Sequence, residues 1–131
     1  MKFRTEVRVR YHETDAMGIA HHSSHLVWFE IGRTELMRAR GISYAELERE
    51  KIFLPVVEVA CRYHLPVRYD DQVLVETEVA ELGAARIRFS YRVLRLKDEK
   101  LIATGSTLHA ALNGRGTVTR LPAKIREVLS S

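Results

Sequence analysis

The sequence predicts an α+β domain: an antiparallel sheet wrapped around one long central helix. Three observations predict it. One segment, from Ser24 to a stop at Gly41, carries apolar residues at helical spacing. From Phe53 onward the apolar pattern switches to a period of two, and the strands it marks follow one another without helical crossovers. Consecutive strands of that kind pair antiparallel. The helix also carries Trp28, Phe29, Ile31 and Leu36 over more than one stripe, which asks for cover on several sides, as a wrapping sheet provides.

The elements follow in order. Lys2 to Tyr11 places Phe3, Val7, Val9 and Tyr11 on one face and Arg4, Glu6, Arg8 and Arg10 on the other, a strand with one wet side. Ser23 or Ser24 is placed to cap the long helix, and Gly41 ends it. Ser43 and Glu46 have capping-box spacing and open a short second helix. Val57–Tyr63, Val73–Val79 and Ala85–Val93 then alternate as strands, and a fourth runs through about Leu112. Asn113-Gly-Arg-Gly116 reads as a hairpin turn into a final strand at Thr117–Arg120, and Pro122 starts a last helix through Leu129.

Bulk composition narrows the function classes. At 131 residues the chain is expected to be one domain, 1–131, large enough to bury a core without metal or disulfide staples. Cys61 is its only cysteine and lies in an apolar alternating run, so it reads as a core thiol suited to a reducing cytoplasm. No apolar run approaches the roughly 18 residues of a membrane span, and residues 1–7 lack the apolar stretch of a signal peptide. The formal charge of +4 comes mostly from arginines that alternate with apolar residues along strands. That spread argues against nucleic acid, which is met by clustered basic blocks, and leaves an anionic small ligand or a solvated basic face.

The chemistry concentrates between Tyr11 and Ser24, Tyr-His-Glu-Thr-Asp-Ala-Met-Gly-Ile-Ala-His-His-Ser-Ser. A carboxylate, Asp15, precedes the start of the long helix, and Gly18 supplies a turn between them. A helix N-terminus can take up negative charge on a substrate oxygen while the acid attacks or activates water. The bland alternative is an acid stabilised by the helix dipole, typically by less than about 1 kcal/mol on a surface. His21, His22 and His25 with Asp15 also raise a metal site, but no second acid sits in the same turn. His12, His64 and His109 read as structural histidines.

Tyr11, Thr14-Asp15-Ala16, Gly18, His22, Phe29-Glu30 and Arg33-Thr34-Glu35, continued by Pro66-Val-Arg-Tyr69-Asp-Asp, resemble the hotdog-fold acyl-CoA thioesterases. The similarity is to the 4-hydroxybenzoyl-CoA thioesterase-like branch, and within it to the short-chain enzymes associated with the Tol–Pal system. It covers nearly the whole chain. The resemblance implies hydrolysis of a coenzyme A thioester with no cofactor and no metal. It makes Asp15 the catalytic carboxylate, as nucleophile or as general base, and puts Gly18 where the substrate approaches the backbone. His22 then presents its backbone N–H to the thioester carbonyl, with its side chain free to orient water or move a proton. Family members bind the coenzyme A nucleotide near subunit boundaries, so a homo-oligomer, dimer or tetramer, is expected.

Three positions depart from the pattern: Met17 where a second glycine is common, and His21 and His25 where tyrosines are frequent. Arg86, Arg88 and Ser90, on the polar face of one strand, are the candidates for the coenzyme A phosphates. Glu30 and Glu35 lie on the long helix, where other hotdog branches place their acid; ion pairs with Arg33 or Arg38 are the simpler reading. Two rival functions remain open. One is an acyl-thioester hydratase or dehydratase using Asp15 and His22. The other is a non-catalytic acyl-CoA-binding module, which would not require Asp15.

Overall fold

A computed structural model describes residues 2–130. Its strands are β1 (Phe3–Arg8), β2 (Val56–Tyr63), β3 (Gln72–Leu82), β4 (Arg86–Arg95) and β5 (Leu101–Ala110). Its helices are α1 (Ser24–Ala39), α2 (Tyr44–Arg49) and α3 (Ala123–Leu129). The strands form one antiparallel sheet in the order β1-β3-β4-β5-β2. β1 and β2 are therefore the edges, and α1 packs across β1, β3 and β4.

The inward residues of each strand are the ones that alternation selects. Val73 and Val75 on β3, Ile87, Phe89, Tyr91 and Val93 on β4, and Ala103 on β5 are buried against Trp28, Phe29, Leu36 and Met37 of α1. Two glycines let helix and sheet come this close. A Cβ on Gly32 would stand 2.4 Å from Thr77 Oγ1, and one on Gly105 would stand 2.5 Å from the Phe29 ring. Without them α1 would be lifted off the sheet. Phe29 instead lies flat on Tyr91, with ring centroids 4.3 Å apart and planes 6° from parallel.

Helix boundaries follow their local signals. Gly41, at φ +82°, donates to Arg38 O, and Ile42 N–H reaches back to Met37 O, closing α1 in a Schellman-type turn. Ser43 Oγ accepts from Glu46 N–H at 3.2 Å and starts α2. Pro122 precedes α3.

The structure departs from expectation in four places. β1 ends at Arg8, and Tyr11 and His12 lie on a 3-10 turn, Tyr11–Glu13, with Tyr11 76% exposed. The turn at Asn113–Gly116 forms, with Asn113 Oδ1 accepting from the N–H groups of Arg115 and Thr117. No strand follows it: Leu112 and Val118 make a single bridge, and Leu121 N–H then bonds Ala84 O and turns its side chain into the core. Cys61 is half-buried against the core rather than inside it. Ser23 is the residue before α1, but its hydroxyl caps nothing.

Candidate active site

The loop between β1 and α1 is built on a buried carboxylate. Glu13 accepts from Arg10 N–H at 2.8 Å through one oxygen and from Trp28 Nε1–H at 3.0 Å through the other. Its backbone carbonyl accepts from His21 N–H at 2.7 Å and from the Ser24 hydroxyl at 2.9 Å. Two of these four bonds, from Ser24 and Trp28, tie the 3-10 turn to α1; the Arg10 bond closes the turn itself and the His21 bond holds the chain just before the helix. The segment between closes on itself: Thr14 bridges Ala20, and Asp15 N–H donates to Ile19 O. Gly18, at φ +79°, makes the reversal that a side chain would strain. The loop is then pinned to the chain after β2, where Ala20 N–H donates to Val67 O and Ile19 bridges Arg68.

This framework brings together Asp15 and His22, the two positions the resemblance singles out. Both line a cleft of about 420 Å³ with Ile19, Ala20, His25, Tyr63, His64, Leu65 and Pro66. Asp15 is exposed, and its Oδ1 accepts from Met17 N–H at 2.8 Å. Its Oδ2 and the backbone N–H of His22 have no hydrogen-bond partner among the described residues. Asp15, with one carboxylate oxygen free, and His22, with its amide free, thus line a single opening just before α1. The His22 peptide is held from the other side, since Tyr63 O–H donates to His22 O at 2.7 Å.

Sequence reading places His25 here only as a departure from the family pattern and a possible metal ligand, takes His64 for a structural histidine, and does not assign Tyr63 or Arg68; His25, Tyr63 and His64 all line the cleft. Tyr63 comes from the end of β2, and only the fold sets it beside His22. Burial, followed by the neighbouring Cys61 thiol, pushes its pKa up to about 12, so it stays a phenol. His25 is 4% exposed and is packed between Trp28 and Tyr63. Burial, with a smaller contribution from His22, lowers its pKa to about 4. Arg68 lies next to the turn, its guanidinium 3.6 Å from where a Cβ on Gly18 would be. His21 is turned away: its Nδ1 bonds the Ser23 hydroxyl at 2.8 Å, and its ring leans on His22 with centroids 4.0 Å apart.

The other candidates are elsewhere. Arg86, Arg88 and Ser90 do lie on the polar face of β4, and Arg88 pairs with Glu81 at 3.4 Å. That face is opposite to α1. The register runs Tyr63 to Ala103 to Val93, which puts Arg88 five residues, about 17 Å, further along the sheet from the Asp15 cleft. Glu35 pairs with Arg38 as expected. Glu30 borders a separate cleft with Arg33 and Tyr44. Among the described residues no three His, Cys, Asp or Glu side chains gather as a metal site would need.

Residues 9–129 match the model of the thioesterase-like superfamily. The chain belongs to that superfamily. It is 37% identical to the acyl-CoA thioesterase YbgC of Haemophilus influenzae over 94 residues, 71% of this chain and 69% of that one. With the acyl-CoA thioester hydrolase YbgC of Escherichia coli O157:H7 it shares 31% over 99 residues, 76% of this chain and 74% of the relative. The crystal structure of TT1821 from Thermus thermophilus superimposes with a TM-score of 0.92 at 37% identity, covering 97% of this chain and 96% of that one. The DHNA-CoA thioesterase of Staphylococcus aureus superimposes at 0.94 with 29% identity, over 98% and 89% of the two chains. The expected hotdog fold and the thioester-hydrolase class are thereby shown.

Proposed function

We propose that this enzyme hydrolyses an acyl-CoA thioester to a free acid and coenzyme A, with the reaction centred on Asp15. The observation that carries the reading is the pairing, in one cleft, of the free Asp15 Oδ2 with the unbonded His22 N–H. The thioester carbonyl oxygen accepts from His22 N–H, so negative charge developing there falls at the positive end of α1. Asp15 then acts in one of two ways. As nucleophile, an oxygen attacks the carbonyl carbon, the C–S bond breaks, the thiolate departs and water opens the mixed anhydride. As general base, it takes a proton from water as that water attacks the same carbon. The thiolate is a good leaving group, so neither route needs a strong acid beside it, and the neutral imidazole and phenol of His25 and Tyr63 fit that environment.

Coenzyme A would reach the cleft past Arg68, the cation beside Gly18. Arg86 and Arg88 would serve it only from a neighbouring subunit, given their distance within one chain. A homo-oligomer is part of this reading. β2 is an edge strand whose Val56, Val57, Val59 and Tyr63 are 42–55% exposed, and apolar edges of this kind are covered by pairing. Light scattering on the purified protein checks it. A cytoplasmic location suits a free Cys61, and no helix among the described residues is long and apolar enough to cross a membrane.

The test is free-thiol release from short, medium, long and aromatic acyl-CoA substrates by the wild type and by Asp15→Asn. Turnover by the wild type that falls at least about a hundredfold in the folded variant supports the assignment. Release from no substrate, or equal release by both proteins, overturns it.

A further inference from the structure

Among the described residues Arg4 and Arg92 pair with Glu76, Arg8 with Asp70, Arg38 with Glu35, Arg88 with Glu81 and Arg95 with Asp98. Arg33, the one buried arginine at 9% exposure, pairs with no acid. That inverts the usual order, because a charge taken out of water has the greatest need of a counter-charge. Its Nε–H has no acceptor, and the buried hydroxyl of Tyr44 has no partner either. Burial raises the pKa values of Tyr44 and Tyr91, and the Arg33 charge beside both works the other way. The guanidinium thus stands among neutral phenols.

Arg33 and Tyr44 open onto a cleft of about 620 Å³ between α1, α2 and the start of β2. This cleft shares no lining residue with the Asp15 cleft. Arg33 is nine residues, about 14 Å, beyond Ser24 at the start of α1.

The lining specifies one class of ligand. Arg33 Nε–H and Tyr44 O–H are donors without acceptors, and a guanidinium matches the two in-plane oxygens of a carboxylate. Ile31, Leu54, Pro55 and Val56 supply an apolar wall beside them. Glu35 is held by Arg38, whereas Glu30 and Glu48 stand exposed on the rim with no cation paired to them. Their charges oppose a ligand that carries a second negative charge.

We propose that the Arg33–Tyr44 cleft is a binding site for a monocarboxylate with an apolar body, such as a short fatty acid or an aromatic acid. The site stands without the thioesterase reading. On that reading its ligand belongs to the class of acid that the enzyme releases, and the cleft is a second place where product is held.

NMR of the Arg33 Nε–H in the whole chain tests this, with butyrate and benzoate as probes and butyramide and inorganic phosphate as controls. The signal is assigned through bonds in labelled wild type, so no Arg33 variant has to fold. Butyrate or benzoate should move it saturably, with a dissociation constant of about 1 mM or below. Butyramide and phosphate should leave it in place. Tyr44→Phe should weaken binding about tenfold, while Asp15→Asn should leave the constant within about twofold. No saturable shift up to about 20 mM of either acid overturns the proposal. So does an equal response to butyramide or phosphate, equal affinity in Tyr44→Phe, or loss of binding in Asp15→Asn, which would assign the acid to the Asp15 cleft. None of these outcomes bears on thiol release, so the thioesterase reading stands or falls separately.

Discussion

Lowering the pH from 7 to 4.5 should remove about 5 kcal/mol of stability through two histidines alone, and replacing one of them should recover half. His109 carries the clearer case. Leu54 O can only accept, so His109 Nδ1 holds the ring proton and Nε2 must accept from the Thr107 hydroxyl. That in turn obliges the Tyr91 hydroxyl to donate to Thr107, at 2.6 Å. A directed chain of this kind has no place for a second proton on the imidazole. Burial lowers the His109 pKa to about 4, against a raising effect from Leu54 and with help from the Arg33 charge. His25 is also near 4.

Unfolded imidazoles protonate near 6.5, so the stability that each neutral ring contributes is full above that pH and is lost as the pH falls toward 4. At pH 4.5 the loss is about 2–3 kcal/mol per ring, a large share of the roughly 5–15 kcal/mol of a typical domain. Urea unfolding of wild type and His109→Asn at both pH values isolates the effect, because the carboxylates are common to both proteins. The variant should lose about 2–3 kcal/mol less on acidification, which for a urea dependence of about 1–3 kcal/mol/M is a midpoint difference of roughly 1–3 M. Equal acid losses in the two proteins would refute the directed chain.

Three substitutions probe the framework. Gly105→Ala puts a Cβ 2.5 Å from the Phe29 ring and 2.6 Å from Ala60 O, and the backbone oxygen cannot move aside within a paired strand. The cost should be about 3 kcal/mol or more, read as a fall in Tm of about 10 °C or more. Glu13→Gln leaves one of the Arg10 and Trp28 N–H groups facing an amide NH2; about 1.5–3 kcal/mol should be lost in urea unfolding, and a loss under 0.5 kcal/mol would remove Glu13 as the clamp. Tyr63→Phe releases the His22 peptide from an exposed ring. Turnover should drop roughly tenfold with a stability change of about 1 kcal/mol or less, and unchanged turnover would mean that Tyr63 does not position that peptide.

What could be read in advance depended on how far each signal reaches along the chain. Alternation and capping act within a few residues, so the inward faces of the strands, the Gly41 stop and the start of α2 followed from sequence. The extension of β1 through Tyr11 failed because its alternation continues while a more distant force ends the strand. Glu13 is drawn to Trp28, fifteen residues on, and its carboxylate curls the chain into a 3-10 turn. The Thr117–Arg120 strand failed in the same way, because Leu121 is anchored by Ala84.

The site shows the same division on a larger scale. Asp15 and His22 are seven residues apart, and one local loop sets them together. Tyr63 and Pro66 arrive from the far side of α2, and their presence depends on β2 joining the sheet beside β5 and not beside β1 or β3. Periodicity is blind to that choice, since any antiparallel order buries the same faces. The order also decides the fate of the arginines. The register Tyr63–Ala103–Val93 sends Arg88 away from the cleft, and Arg68 is the cation beside the Gly18 turn. A chain of this kind therefore announces its candidate carboxylate and its helix start locally. Tyr63, through its bond to His22, becomes visible at the site only once the sheet has closed around α1.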